Sequence, residues 1–263
     1  MAVVARRLSR SRLLDGVSRI WCGGIRYRLA AALGIILFTA AAGLPGLGSN
    51  NARVAVDIAA MPWAAVARVQ VPGITRCTGF LFGPQMVVTA AHCLYGRRLG
   101  HFLQPASIHV LLGYADGVFA HHVLAVSFRV ADGYDPLVAG GQGADLAVLT
   151  LAAPIAGPGE SLVLADQPVL RGSPLMLGGY GQDRAERIAA DLSCKSLGYA
   201  AGPDGRVLLM HDCAGTRGTS GGPVLAQTPE GWRVAGVQVA GNKNDVGGFA
   251  VPAMAIRALL ARP

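Results

Sequence analysis

Short apolar runs recur between glycine, proline and aspartate turns along most of this 263-residue chain. Many of the runs alternate or are rich in β-branched residues, and they are too short for helices, which is typical of β-strands. The predicted strands are AVARVQV from Ala65, TGFLF from Thr78, MVVTA from Met86, IHVLLG from Ile108, HHVLAVSFRV from His121, DLAVLTL from Asp145, SPLMLGGYG from Ser173, VLLMH from Val207, PVLAQ from Pro223 and WRVAGVQVAG from Trp232. Only MAIRALLA at 254–261 has a helical pattern. The pattern therefore predicts an all-β fold, a sandwich or a pair of barrels, with a C-terminal helix.

Positive charge is concentrated at the N-terminus. Residues 1–28 contain seven arginines and one acidic residue, so +6 of the formal net charge of +8 lies there and +2 remains for residues 29–263. No basic run interleaved with aromatic residues occurs in that remainder. The charge of the chain therefore does not indicate a nucleic-acid partner, and we expect none.

An uncharged segment follows these arginines. Its apolar core, LAAALGIILFTAAA at 29–42, is 14 residues long and ends at a breaker-rich stretch that begins with Gly43. A membrane span needs about 20 apolar residues, whereas a secretory signal needs about 7 to 15 behind a basic segment. Residues 1–48 are therefore predicted to be a leader for export to the periplasm or beyond. The alternative is an inner-membrane anchor at 29–48, and residues 49–61 are interpreted as a pro-segment or N-terminal extension.

The cysteines agree with export. Of the five, Cys22 lies in the leader and four remain. An even number in an oxidising compartment permits two disulfides, and three connectivities are open. We choose nearest-neighbour pairing, which predicts Cys77 with Cys93 and Cys194 with Cys213. Zinc is the rival explanation, but no C-x-x-C pair occurs and the one adjacent histidine, His92, has a different use, so we expect no metal.

Ser220 lies in GTSGGP at 218–223, where small residues surround one hydroxyl. An attacking serine needs room for a carbonyl carbon, and the tetrahedral intermediate needs backbone N–H donors for its oxyanion. The amides of Gly218 and Ser220 are therefore the predicted oxyanion hole. The string also fits the G-x-S-x-G elbow of esterases and lipases. Those enzymes need a histidine after the serine, and none follows His211 in this chain, so the general base must lie upstream.

His92 is the candidate base among six histidines. It lies in TAAHC, directly after the apolar run MVVTA, where Cys93 can tether the turn to Cys77. An imidazole held at a defined turn can accept the proton of a nearby hydroxyl. His211 is interpreted as a bystander near the site. The remaining histidines are interpreted as exposed or strand-face residues, and they are His101, His109, His121 and His122.

Asp145 is the candidate for the carboxylate that orients the base. It opens the apolar run DLAVLTL, after the loop AGGQGA. A charge at the mouth of a buried strand is costly unless it has a partner, as the aspartate beside a catalytic histidine has. The rival aspartates lie in the turn-like settings YADG and VADGYDP and are interpreted as turn formers, and they are Asp116, Asp132 and Asp135.

TAAHC, DLAVL and GTSGGP, in that order, strongly resemble the trypsin-like or chymotrypsin-like serine peptidases over roughly residues 62–260. Supporting matches are CTGFLF, GGYGQ, AGVQVAG and GGFAV. The resemblance implies two six-stranded antiparallel β-barrels with the active site between them. We place the peptidase domain at 62–263, with the passage between barrels near 157–174.

The resemblance also implies the role of each residue. Ser220 is the expected nucleophile, His92 the general base and then acid, and Asp145 its orienting group, with the Gly218 and Ser220 amides as the oxyanion hole. The expected reaction is peptide-bond hydrolysis through an acyl-enzyme, without a cofactor. We expect polypeptide substrates, a monomer, and contact with a membrane only through the leader.

Two departures separate the chain from trypsin itself. Trypsin carries an aspartate before the serine that pairs with the new N-terminus on activation, and this chain has Thr219 there. The departure resembles the bacterial glutamyl-endopeptidase branch. The alternative is a catalytically inactive relative that binds proteins through the same barrels, but no triad member is missing.

The second departure concerns specificity. Trypsin-like enzymes have an acid six residues before the serine, whereas the glutamyl branch has a histidine on the strand that lines the pocket. This chain has Ala214 and Gln238 in those places, so neither Lys, Arg nor Glu is the expected residue before the cut. A small or medium uncharged residue is predicted instead. The predicted pocket residues are Ala214, Gly215, Gln238, Val239, Ala240 and Gly241.

Overall fold

The computed structural model describes residues 52–138, 143–241 and 246–261, and this part of the chain is built mostly from β-strands. The leader predicted at 1–48 and the first residues of the predicted 49–61 extension lie outside the described residues. Everything described belongs to one compact unit, Pro45–Pro263. Among the described residues, no helix is long and apolar enough to cross a membrane.

Fifteen strands are present in the described residues. The first nine are β1 (Arg53–Ala55), β2 (Val66–Val71), β3 (Thr75–Gly83), β4 (Met86–Thr89), β5 (Tyr95–Gly96), β6 (His101–Phe102), β7 (His109–Leu112), β8 (His121–Val130) and β9 (Ala147–Leu151). The others are β10 (Pro174–Gly179), β11 (Ala189–Ala201), β12 (Val207–Ala214), β13 (Pro223–Thr228), β14 (Gly231–Gly241) and β15 (Val246–Pro252). The α-helix α1 spans Ala253–Leu260, and short 3-10 helices span Trp63–Ala65, Ala91–Leu94, Pro105–Ser107 and Gln182–Arg184.

The first barrel is closed and antiparallel, with the strand order β2-β3-β4-β9-β8-β7. Apolar side chains that alternate along the strands fill its interior. Phe80, Val88 and Leu149 are fully buried there, and Phe80 lies opposite Val88 in the β3–β4 ladder. Period-two alternation puts one face of each strand into this core, which is why these runs were readable from the sequence.

The second barrel has the order β11-β10-β13-β14-β15-β12 and is closed by the pairing of β11 with β12. β1 adds to its outside by pairing with β11. Leu177, Val224 and Leu209 are fully buried in this barrel. The prediction of two six-stranded antiparallel barrels with one C-terminal helix is therefore confirmed. The helix begins and ends one residue earlier than predicted, at Ala253–Leu260.

Five of the fifteen strands were not predicted, β1, β5, β6, β11 and β15, and of these β11 and β15 belong to the second barrel. β11 reads AADLSCKSLGYAA and lacks strict alternation, because its register shifts between Ser196 and Gly198. β15 contains the consecutive glycines Gly247 and Gly248, which weaken a strand's own preference. Both strands have partners on two sides. Hydrogen bonds to these neighbours therefore stabilise the strand conformation that the local sequence favours only weakly.

Residues 152–173 connect the two barrels and contact each of them. The backbone N–H of Leu162 donates to Leu81 of the first barrel, and Val163 accepts from Val234 of the second. α1 packs on the second barrel and buries Ile256 and Leu259. The connection is therefore held by backbone hydrogen bonds to both barrels.

Candidate active site

Asp145 contacts His92 at two points. His92 lies in the 3-10 helix that follows β4, and Asp145 lies two residues before β9. β4 and β9 are neighbours, with Thr89 opposite Ala147, so their ends bring the two side chains together. One carboxylate oxygen accepts the backbone N–H of His92 at 2.8 Å, and the other lies 2.6 Å from its Nδ1.

The contact with Asp145 determines which nitrogen of the His92 imidazole carries the proton. Asp145 is buried, with 3% of its surface exposed, and an ionised carboxylate can only accept hydrogen bonds. Nδ1 of His92 therefore carries a proton that it donates to Asp145, which leaves the lone pair on Nε2. The imidazole is a quarter exposed, so Nε2 is open to a hydroxyl that approaches from the cleft.

Ser220 lines the same cleft as His92. In the part of the chain that the structure describes, its Oγ makes no hydrogen bond, including none to the imidazole. Catalytic hydrogen bonds are often long without substrate and tighten when the substrate binds. The structure thus joins His92 to Asp145 directly and brings Ser220 to the same opening.

The loop before Ser220 leaves two backbone donors unused. Neither Gly218 N–H nor Ser220 N–H donates to any group among the described residues. The carbonyl of Arg217 accepts the N–H of Gln182 at 2.6 Å. Because a trans peptide is planar, with its N–H opposite its C=O, this bond turns the Gly218 N–H away from Gln182. Two donors next to a hydroxyl are what an oxyanion needs.

Thr78 of β3 holds this loop, residues 215–222 between β12 and β13, which we call the serine loop, against the first barrel. Its backbone N–H donates to the carbonyl of Ser220 at 2.9 Å. Its Oγ donates to the carbonyl of Gly218 at 2.8 Å and accepts the N–H of Tyr180 at 2.9 Å. Thr78 is fully buried, and Thr89 in turn donates its hydroxyl to the Thr78 carbonyl. One residue of the first barrel therefore bonds at two points to the serine loop of the second.

Two glycines allow this close approach. Gly218 has φ +94° and Gly221 has φ +82°, a region that side chains with a Cβ rarely adopt. A Cβ at Gly218 would clash with the carbonyl oxygen of Tyr180, and one at Gly221 would clash with that of Thr78. The small residues around Ser220 are thus required by backbone-to-backbone contact.

An ion pair ties the N-terminal strand to the same loop. Arg53 of β1 binds both carboxylate oxygens of Asp183, at 3.1 and 2.6 Å. Thr216 donates its hydroxyl to Asp183 at 2.8 Å. The Arg53 guanidinium, together with this hydroxyl, lowers the pKa of Asp183 to about 2. The segment before residue 62 is therefore bonded to the loop that precedes Gly218.

The predicted pocket residues lie at the end of β12 and along β14. Ala214, Gln238 and Val239 are buried, whereas Ala240 and Gly241 become progressively more exposed, and Gly215 is half-buried. Gly221 N–H donates to the Gln238 carbonyl at 2.7 Å, so this wall is adjacent to the serine loop. None of these six side chains is charged, as the predicted preference for an uncharged residue requires.

His211 binds Gln238 behind that wall. The Gln238 amide nitrogen donates to the Ala240 carbonyl at 2.9 Å, so its Oε1 accepts from His211 Nε2 at 2.6 Å. His211 Nδ1 then accepts the N–H of Cys213 at 3.2 Å. Burial lowers the pKa of His211 to about 4, so the imidazole is neutral. The interpretation of His211 as a bystander misses this role as a buried support of the predicted pocket.

The cysteines are not available to a metal. Two groups of side chains in the described residues are close enough to share an ion, and each contains two cysteines. In both groups the sulfurs are bonded, Cys77 to Cys93 and Cys194 to Cys213, which are the nearest-neighbour pairs. Metals bind the thiolate form of cysteine, so the chemistry of these donors does not fit a metal centre.

A family model described as Trypsin matches residues 53–260. This match covers well over half of the chain. The chain belongs to the trypsin family. The expected family is thus confirmed, and the match includes both barrels and every predicted site residue.

Individual relatives of this trypsin-family chain point to the predicted branch. The chain is 32% identical over 62 residues to the glutamyl endopeptidase of Bacillus licheniformis. That match covers 24% of this chain and 19% of the relative, so the chain spans about a fifth of the curated protein it matches.

Solved structures show the same fold. A Glu endopeptidase in complex with MPD has a TM-score of 0.63 and 22% identity, with 78% of this chain and 93% of that chain covered. The VesB protease of Vibrio cholerae has a TM-score of 0.60 and 18% identity, with 79% and 65% covered.

Sequence reasoning missed the residues that support the site. Thr78 stands in CTGFLF, which contains a predicted strand and was noted as a family match, but Thr78 itself was not singled out. Asp191 is buried and accepts the N–H groups of Ser193 and Ala214, so it holds the start of the predicted pocket. A polar residue directly beside a cysteine in an apolar run was the available signal for Thr78, whereas β11 had no strand signal that would have located Asp191.

Replacing Thr78 by valine should loosen the serine loop. Thr78→Val keeps the shape but leaves the Tyr180 N–H and the Gly218 carbonyl without a partner, which costs about 2 to 4 kcal/mol. We expect this loss in urea unfolding, together with slower labelling of Ser220 by a fluorophosphonate. Thr78→Ser is the matched control, because it keeps the hydroxyl. Equal stability and equal labelling of the two variants would contradict the role of the hydroxyl.

The neutral state of His211 should make stability depend on pH. The pKa of His211 falls from 6.5 to about 4 on folding, so below pH 6.5 the unfolded chain binds a proton that the folded chain does not. Stability therefore falls as pH decreases through that window, by on the order of 2 to 3 kcal/mol. Urea unfolding should show this part of the slope in the wild type and not in His211→Gln. His101→Gln, at an exposed histidine, should keep it, and an unchanged slope in His211→Gln would disprove the assignment.

Proposed function

We propose that this chain is an exported serine endopeptidase that hydrolyses peptide bonds through an acyl-enzyme. The observation that carries the proposal is the double contact of Asp145 with the backbone N–H and the Nδ1 of His92, at the opening that Ser220 also lines. A carboxylate that orients an imidazole beside a serine hydroxyl is the arrangement that activates a serine nucleophile.

In the first half of the proposed reaction, Nε2 of His92 accepts the Ser220 hydroxyl proton while Oγ attacks the substrate carbonyl carbon. The carbonyl oxygen becomes an oxyanion, which accepts hydrogen bonds from the unused N–H groups of Gly218 and Ser220. His92 then gives its proton to the amine of the breaking C–N bond, and the acyl-enzyme remains. In the second half, the oxygen of a water attacks the acyl carbon while His92 accepts the water proton; His92 then returns that proton to Ser220 Oγ as the Oγ–acyl bond breaks and the acid leaves. Asp145 stabilises the imidazolium at each stage.

Export is supported by the disulfides. Two bonded cysteine pairs are typical of proteins that fold in an oxidising compartment. We propose a periplasmic or secreted location, with the leader at 1–48 removed or, alternatively, kept as an anchor at 29–48. Polypeptides are the proposed substrates, and the protease is proposed to act as a monomer.

An activated serine should react with a fluorophosphonate. We expect the full chain, produced in an oxidising compartment, to be labelled at Ser220 and the Ser220→Ala variant to be unlabelled, with the modified residue located by mass spectrometry. Asp145→Asn should slow labelling by about 10⁴, because the imidazole takes the wrong tautomer. No labelling of a folded, disulfide-bonded protein would favour the inactive binding protein instead.

The uncharged walls of the pocket should determine which bond is cut. We expect cleavage of casein and of peptides with a small or medium uncharged residue before the cut. A charged substrate side chain in this pocket would lose its hydration without gaining an oppositely charged partner. That loss costs on the order of several kcal/mol. Peptide mapping by mass spectrometry measures this preference. Strong cleavage after Lys, Arg or Glu would show that the pocket assignment is wrong.

A further inference from the structure

A basic cleft of about 800 Å³ opens beside His92 and Ser220. Four arginines line it and no acidic residue does. Arg76 comes from β3, Arg97 and Arg98 come from the turn between β5 and β6, and Arg217 precedes Gly218. We call this surface the arginine cleft.

The four guanidinium groups of the arginine cleft have no carboxylate partner among the described residues, although the charge of Arg97 acts on the nearby Tyr134 hydroxyl. None of them makes a hydrogen bond or an ion pair with a described side chain, and Arg97, Arg98 and Arg217 are exposed. Other arginines are paired with carboxylates, and these pairs include Arg53 with Asp183, Arg68 with Glu186, Arg187 with Asp116, Arg206 with Asp204 and Arg257 with Asp166. The arginine cleft therefore concentrates unneutralised positive charge at the opening of the candidate active site.

The proposed chemistry assigns this cleft to one side of the scissile bond. His92 delivers a proton to the amine that leaves, so the departing part of the substrate begins against its imidazole. The residues that follow His92, together with Cys77 and Arg76, line the arginine cleft. The six predicted pocket residues belong to β12, β14 and the serine loop of the second barrel, and none of them lines it. The two surfaces therefore receive opposite ends of the substrate.

We propose that the arginine cleft binds acidic side chains of the substrate that follow the scissile bond. This inference rests on the proposed peptidase function and adds a substrate class to it: polypeptides with Asp or Glu in the first few positions after the cut. Guanidinium groups bind carboxylates with paired hydrogen bonds, and four of them around one opening attract acidic chains before contact. A neutral pocket before the cut would then be combined with charge recognition after it.

Matched fluorogenic peptides test the proposal. They share one sequence up to the cut and carry Asp-Asp, Asn-Asn or Lys-Lys after it. We expect the full-length protein to cleave the Asp-Asp peptide with a kcat/KM about five- to tenfold above that of its Asn-Asn isostere, since each exposed ion pair contributes modestly. The Lys-Lys peptide should be the poorest. Raising the salt concentration from about 0.02 to about 0.5 M should remove most of the difference, because it screens exposed charges.

Variants locate the effect. Arg76→Gln combined with Arg98→Gln should bring the Asp-Asp to Asn-Asn ratio close to one. Arg171→Gln, at an exposed arginine outside the cleft, should keep the wild-type ratio. A wild-type ratio near one, or a ratio that the double variant leaves unchanged, would overturn the proposal.

Binding to Ser220→Ala separates this inference from the proposed function. Fluorescence anisotropy of the same peptides should show tighter binding of the Asp-Asp peptide, and the double arginine variant should remove the difference. If no peptide is cleaved and Ser220 is not labelled, but this binding preference is present, the peptidase proposal fails and the acidic-substrate site stands. If Ser220 is labelled and the peptides bind equally, only the acidic-substrate site fails.

Discussion

Thr78 is a fully buried residue of one barrel whose backbone and hydroxyl bind the loop of the other. It bonds to both Ser220 and Gly218, and through Tyr180 it also contacts the strand end that faces them. Thr78 is fully buried, so leaving any one of these hydrogen bonds unmade would destabilise the folded protein. These bonds help to set the position of the candidate nucleophile, Ser220, relative to the candidate base, His92.

Neutral and charged groups support the site in different places. His211 and Gln238 form a buried, neutral pair behind the predicted pocket, where an unpaired charge would be expensive. Asp145 is buried as well, but its two contacts with His92 satisfy both oxygens. The guanidinium groups without a carboxylate partner line the open cleft, where water can solvate them. The polar groups that have a partner within the protein, His211, Gln238 and Asp145, are thus buried, and those that have no carboxylate partner lie at the cleft.

Much of the fold was predictable because one-sided burial leaves a period of two in the sequence. Ten runs were predicted as strands, and each overlaps an observed strand: β8 at His121–Val130 has the predicted ends, whereas β3 at Thr75–Gly83 extends past its run at both ends. β11 and β15 were missed because bulges and glycines interrupt their alternation and neighbouring strands hold them in place. The candidate site divides in the same way, since reactive residues stand in recognisable motifs and supporting residues do not.

The sequence by itself determined the all-β class, the order of the three motifs, and therefore the trypsin family. It also named the side chains whose chemistry suits a serine peptidase, because a nucleophile, a base and a carboxylate each need a distinctive local setting. Only the tertiary structure decided that Thr78, Asp191 and His211 support that site and that four arginines meet at one cleft. These contacts join residues far apart in the chain, and the free energy of a buried hydrogen bond or of converging charges depends on distances that only folding creates.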